Sequence, residues 1–234
     1  MAPVKQSIIV RRYGTYRSMP WRNGKGFTLE IGRAPAAGQD FAWRLSLADI
    51  DRDGEFSPYP GYHRALVLVV GNTLRLRFRG HGRCVLGPAK RATRFKGDWK
   101  THCAVPEGRC TDLSLIVRRG AAGRSTSVVH APRMLLVKST RQLVLTGDLH
   151  GALFVLEGSV AASEPSRARP RTLHVRDTLL LSPGRQSALR LRNLGPSAAQ
   201  LVLLRWRPGH SLNTRRNGRA PTAAKPPGRN RRHP

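Results

Sequence analysis

The sequence predicts an all-β protein, and three observations carry that prediction. Apolar and basic residues alternate in Thr73-Leu74-Arg75-Leu76-Arg77-Phe78 and again in Leu189-Arg190-Leu191-Arg192, the two-residue period of a strand with one wet face. Short apolar runs at 65–70, 134–137 and 201–204 read as strands buried on both faces. Glycine and proline punctuate the chain at roughly the 8–12-residue spacing of a barrel or sandwich. Helical periodicity is weak throughout, so one or two short helices at most are expected, with Ala48-Asp49-Ile50 as the candidate.

Taken in chain order, residues 1–13 contain Ile8-Ile9-Val10 but neither a long apolar stretch nor a cleavage-like site, which argues against a secretory signal or an anchor. No run reaches the length of a transmembrane helix. The next block is the most distinctive: Met19-Pro20-Trp21-Arg22-Asn23-Gly24-Lys25-Gly26-Phe27-Thr28. Glycine at alternate positions lets backbone approach a ligand or another strand closely. Trp21 offers an apolar face, and Asn23 offers a donor and acceptors. The same residues would equally build a tight turn over a buried tryptophan. In Trp43-Arg44-Leu45-Ser46, alternation puts Arg44 and Ser46 on one face and Trp43 and Leu45 on the other.

The stretch 53–64 is a turn-rich approach to the run at 65–70. Ser57 sits on that approach, and His63 precedes Arg64 where the turn enters the strand. Phe95-Lys96-Gly97-Asp98-Trp99 follows, then Thr111-Asp112-Leu113-Ser114-Leu115, in which Asp112 and Ser114 share a face. Gly151-Ala152-Leu153-Phe154-Val155-Leu156-Glu157-Gly158 echoes the strand and turn at 64–72, a faint repeat consistent with two modules. Arg176-Asp177-Thr178 to Pro183-Gly184 resembles the second cupin motif, in which an aspartate closes a turn and Pro-Gly makes a sharp corner.

In order and spacing, the blocks at 19–28, 43–48, 53–64, 95–99 and 111–120 resemble the HutD/Ves family of bacterial proteins, over roughly residues 5–210. The resemblance implies a bicupin: two cupin-like β-barrel modules in one chain. Residues 1–130 would form the N-terminal module carrying a ligand site, and 131–210 a degenerate second module. It implies a non-catalytic protein that binds a small anionic metabolite (urocanate, formylglutamate or an analogue) and modulates histidine utilisation or a stress response. The family's signature positions fall here on Trp21, Asn23, Gly24, Gly26, Thr28, Arg44, Ser46 and Arg64. Ser57 and His63 join them from their place on the turn. The chain departs from the family in having His63 where aspartate is frequent, and Ser114 where asparagine is expected. Histidine donates and adds positive charge below about pH 6.5, so ligand preference should shift with it.

The residue types suit that ligand class. Arginine binds carboxylate bidentately, and neutral donors fix orientation. A bland alternative stays open for each residue. Arg44 could bridge to Asp112 or Asp98, Asp112 could partner Arg118, His63 could be a turn residue, and Trp43 suits a core.

Composition narrows the remaining options. The 234 residues carry 42 Lys and Arg against 13 acids, a formal net charge of +29. Seven of those basics and no acid lie from His210 onward, and without them the charge is still +22. Residues 211–234 have almost no apolar content and are expected to be a disordered basic tail. Such charge attracts polyanions, so a nucleic-acid-binding protein is one competing reading, with non-specific contact through the tail. It predicts steep salt dependence of binding. Aromatics are only 6% of the chain and do not interleave with basic residues, which argues against base stacking.

A metal-independent cupin enzyme is the other competitor, and His63 is its sole attractive titratable group, with Ser46 as a nucleophile. Cupin metal sites use a His-x-His pair and a further histidine just beyond the Pro-Gly corner; here no His-x-His occurs and Arg185 to Leu189 after Pro183-Gly184 include no histidine, so no metal cofactor is expected. Cys84, Cys103 and Cys110 are odd in number and lack a Cys-x-x-Cys, which fits a reducing cytoplasm. Exposed sheet edges would invite a homodimer.

Overall fold

Twenty strands and one 3₁₀ turn, Tyr13–Thr15, occur in the computed structural model, which describes residues 8–21, 26–35, 40–120, 127–145, 149–164, 169–184 and 187–209. The strands form four antiparallel sheets, stacked as two sandwiches back to back. The first outer sheet orders Gly54–Glu55, Thr101–Ala104, Leu74–Phe78 and Gly82–Leu86. The first inner sheet orders Arg17–Pro20, Phe27–Ala34, Trp43–Ile50, Cys110–Arg118, Tyr62–Val70 and Ala92–Lys96.

The second inner sheet runs Ile8–Arg11, Thr178–Leu181, His150–Glu157 and Ala199–Arg207. Val128–Val129 and Arg133–Val137 both pair with its Ala199–Arg207 strand. The second outer sheet orders Thr140–Leu145, Ser187–Asn193, Val160–Ser163 and Arg171–Leu173.

Three apolar layers hold the four sheets together, and the period of two explains which residue enters which layer. Leu66, Leu68, Phe95 and Cys110 of the first inner sheet meet Leu74, Leu76, Phe78 and Leu86 of its outer sheet. The alternate residues Leu45, Leu47, Ala65, Val67, Leu113 and Leu115 point the other way, onto Ala152, Phe154, Val202 and Leu204 of the second inner sheet. Leu153, Val155, Leu201 and Leu203 then face Val160, Leu173, Leu189 and Leu191 of the second outer sheet. The inner strands bury residues on both faces because both faces are covered.

The alternation at 73–78 becomes Leu74–Phe78, with its leucines and phenylalanine buried and its arginines exposed. Two expectations fail. Residues 48–50 are not helical; they end the strand Trp43–Ile50, which is paired on both sides. Residues 134–137 are not buried on both faces. Leu135 and Val137 enter the core, whereas Met134 and Leu136 are 42% and 47% exposed. Among the described residues this strand pairs only with Ala199–Arg207, and its outer face is left exposed.

The echo between 64–72 and 151–159 is structural. Both segments are central strands ending in glycines with left-handed φ, +104° at Gly71 and +75° at Gly158. Asp177 closes its turn by accepting the His174 N–H at 3.0 Å. It also accepts from Arg12 Nη1 at 2.6 Å and the Tyr13 N–H at 3.0 Å, fastening the start of the chain to the second inner sheet. Asn23, Gly24 and the tail at 211–234 lie outside the described residues.

Candidate functional site

The first inner sheet buries a polar cluster on the face turned toward its outer sheet. Leu29, Ile31, Trp43, Leu45, Leu113 and Leu115 occupy the opposite face. Alternation therefore sends Thr28, Glu30, Arg44, Ser46, Arg64, Asp112 and Ser114 into the interior of the first sandwich. Register brings them together: Ser46 lies opposite both Glu30 and Ser114, and Ile116 lies between Arg44 and Arg64.

Arg64 is the centre of the cluster. It is 7% exposed, and its guanidinium sits over the rings of Phe56 (4.9 Å), Phe95 (5.1 Å) and Tyr59 (5.7 Å). Its polar contacts are long: 3.4 Å to Ser114 Oγ and 3.5 Å to the Ser57 carbonyl. Nε has no hydrogen-bond partner. Burial lowers its pKa below the ordinary arginine value, and the Asp112 charge opposes that shift.

Arg44 shares the Tyr59 ring. Its Nη2 donates to Tyr59 Oη at 2.7 Å, and the guanidinium lies 5.2 Å from Phe41 and 5.3 Å from Tyr59. Nε of Arg44 is likewise buried without a partner. On the acidic side, Asp112 is 3% exposed and its Oδ1 has no hydrogen-bond partner. Burial pushes its carboxyl up to about 7, against the pull of Arg64. Glu30 is 8% exposed, with Oε2 unpartnered. Buried polar atoms are normally hydrogen-bonded, so four in one cluster mark a place built to meet further polar groups.

The other sequence candidates distribute as follows. Trp21 closes a hairpin: its N–H donates to the Gly26 carbonyl at 2.9 Å, and Nε1 donates to Thr28 Oγ1 at 2.9 Å. The indole lies over Gly26, where a Cβ would sit 3.1 Å from the ring, so a close approach requires that glycine. Ser46 is buried within the cluster. Ser57 is exposed and contributes only its carbonyl. His63 leaves the cluster: strand alternation turns it to the opposite face from Arg64. Burial, then the charges of Arg119 and Lys96, lower its pKa below the ordinary histidine value. Ser46 and His63 thus face opposite sides of the sheet and form no nucleophile–base pair.

The bland alternatives are decided residue by residue. Arg44 pairs with neither Asp112 nor Asp98. Asp98 instead takes Arg119, at 2.6 and 2.7 Å. Arg118 reaches Tyr62 Oη at 3.2 Å rather than Asp112. Trp43 is core, edge-on to Trp206 at 5.1 Å and beside His150. Sequence reasoning missed Glu30, Phe41, Phe56 and Tyr59. Glu30 was legible, being two residues from Thr28 and flanked by Leu29 and Ile31. Phe41 lies before its strand and had no periodic signal.

Among the described residues, no group of three His, Cys, Asp or Glu side chains is placed to hold a metal. None of their helices is long and apolar enough to cross a membrane. Cys84, Cys103 and Cys110 are free thiols. Chemically, the site offers two guanidiniums, aromatic walls and two buried carboxyls, a set that can bind and orient a small polar molecule.

A family model described as HutD matches residues 13–199. A Pseudomonas putida protein described as an uncharacterized 21.2 kDa protein in the hutC 3′ region is 41% identical over 102 residues. That match covers 43% of this chain and 53% of the relative, so it spans about half of the relative's length. Protein Ves of Citrobacter koseri is 32% identical over 151 residues, 63% of this chain and 73% of that protein.

Among solved structures, a conserved protein of unknown function from Pseudomonas aeruginosa PAO1 superposes with a TM-score of 0.72 at 30% identity, covering 86% of this chain and 98% of that one. HutD from Pseudomonas fluorescens SBW25 gives 0.66 at 27% identity, covering 86% and 100%. A Bacillus subtilis oxalate decarboxylase shares the cupin fold alone, with a TM-score of 0.62 at 8% identity, covering 86% and 77%.

Proposed function

The chain belongs to the HutD/Ves family, which is associated with histidine utilisation, and from that premise we propose that it binds a small anionic metabolite inside its first sandwich. In this reading Arg44 and Arg64 hold a carboxylate, with Ser114 and the Tyr59 hydroxyl fixing its orientation. Glu30 and Asp112 accept from a hydrogen-bond donor at the ligand's other end. Urocanate, with a carboxylate and an imidazole N–H, and formylglutamate, with carboxylates and an amide N–H, both fit this polarity. Binding in the cytoplasm would report the level of a pathway intermediate and modulate its use. Residues 1–130 would be the sensing module. The second inner sheet, which takes in Ile8–Arg11 as well as later strands, would serve as its support.

The observation that carries the reading is the pair of arginines over one tyrosine ring, each with a buried Nε lacking a partner. A protein gains nothing in stability from two neighbouring like charges, one buried and one half-buried, since burial and mutual repulsion both disfavour them. An incoming carboxylate relieves both. Calorimetric titration of the full chain with urocanate and with formylglutamate tests it. Saturable binding of one acid is expected, weakened at least about tenfold in Arg44→Ala, since charge-assisted hydrogen bonds are worth roughly 1.5–3 kcal/mol. Absence of binding to both acids, with the wild-type protein folded, refutes the proposal.

A further inference from the structure

A surface concavity lies outside this cluster. It is a surface pocket of about 430 Å³ between the turn that joins Leu74–Phe78 to Gly82–Leu86 and the loop that follows Ala92–Lys96. Its floor is aromatic. The exposed ring of His81 stacks on Trp99 at 4.3 Å and 17°. Trp99 packs in turn on Phe78 at 5.5 Å, and Phe78 on Phe95 at 4.9 Å. The outermost ring is thus braced by the core. Its backbone is braced as well: the His81 N–H donates to the Phe78 carbonyl at 2.9 Å, and Gly80 and Gly82 on either side take left-handed φ.

The walls are cationic. Asp98, the one acid among the described residues that line the pocket, is consumed by Arg119 and by the Gly61 N–H at 3.3 Å. Arg79, Lys96 and Lys100 also line it and make no ion pair among the described residues. The Arg79 N–H donates to the Lys100 carbonyl at 3.0 Å, which sets these two residues next to each other in the wall. An inorganic anion would need the cations but not the stacked rings, and an apolar ligand would need the reverse. A flat aromatic group carrying a phosphate needs both. We propose that this pocket binds a nucleoside phosphate, its base on the His81–Trp99 stack and its phosphate among Arg79, Lys96 and Lys100. The net charge of +29 raises the local concentration of any such anion. The ligand's source is either a free mononucleotide or a nucleotide within single-stranded RNA.

The test titrates the full chain, at physiological salt, with AMP, ribose 5-phosphate, adenosine and a single-stranded oligoadenylate. AMP should bind saturably, with ribose 5-phosphate and adenosine each about tenfold weaker or worse, because each lacks one half of the contact. His81→Ala and Lys100→Gln, both at exposed positions, should each weaken AMP about tenfold while leaving thermal melting and urocanate titration unchanged. Oligoadenylate affinity that falls in parallel in His81→Ala identifies RNA as the source; oligoadenylate affinity that does not identifies the free nucleotide. AMP binding no tighter than ribose 5-phosphate, or AMP binding indifferent to both substitutions, overturns the proposal.

Discussion

Asp112→Asn should change how stability depends on pH, and in the direction opposite to most carboxylates. Asp112 is buried, with Oδ1 unpartnered, and its carboxyl sits near 7 rather than at the usual value of 3.8. Between those two values the folded protein holds a proton that the unfolded chain has released. Each unit of pH across that window therefore removes about 1.4 kcal/mol of stability from the folded state. Between pH 5 and pH 7 the buried carboxyl should cost about 3 kcal/mol, and asparagine, which does not titrate, should cost nothing there.

Urea unfolding at pH 5, 6, 7 and 8 measures the difference. Wild type and Asp112→Asn should differ least at pH 5. The variant should gain about 3 kcal/mol on the wild type by pH 7 to 8, whatever other groups titrate in both proteins. Parallel stability curves would refute the reasoning, because they would mean that Asp112 is already ionised at pH 5, with Arg64 close enough to offset its burial.

Three further outcomes follow from the same geometry. Gly71→Ala places a side chain at φ +104° with Cβ 2.6 Å from Cys110 Sγ and 3.0 Å from the Arg109 carbonyl; it should destabilise by about 2–4 kcal/mol, against about 1 for Gly108→Ala, which has left-handed φ but open space. Asp177→Ala removes three charge-assisted contacts and should destabilise by about 2–4 kcal/mol in urea at neutral pH. Burial alone would raise the Asp177 pKa, but the His174 and Tyr13 N–H groups and Arg12 hold it below the usual value, so the wild-type advantage should persist above about pH 4 and vanish as pH falls through that lowered value. Trp21→Phe deletes the bond to Thr28 Oγ1 and should lower stability by about 1 kcal/mol, read as a drop in thermal midpoint.

Much of the fold was readable from local patterns. Alternation in 73–78 and 189–192, the glycines ending two equivalent strands, and the Asp177 turn all depend on near neighbours in the chain, and all appear as read. That Arg44 shares a face with Ser46, and Asp112 with Ser114, was readable for the same reason, since the strand period fixes which residues share a face. The helix expected at 48–50 gave way to strand pairing on both sides, and the failure at 134–137 came from coverage. Met134 and Leu136 look like Leu203 and Leu204 in sequence, yet they are exposed because no layer among the described residues lies over their face.

The sequence by itself determined that the chain is β-structured, that its first half holds the distinctive polar residues, and that Arg64 enters a buried strand. Only the tertiary structure decided what those residues face. It set Arg44 and Arg64 on one tyrosine ring, brought Glu30 opposite Ser46, turned His63 away from both, and assembled His81 and Trp99 from separate loops. Periodicity acts over two residues, whereas each of those contacts joins strands or loops held together by sheet pairing and packing across the first sandwich.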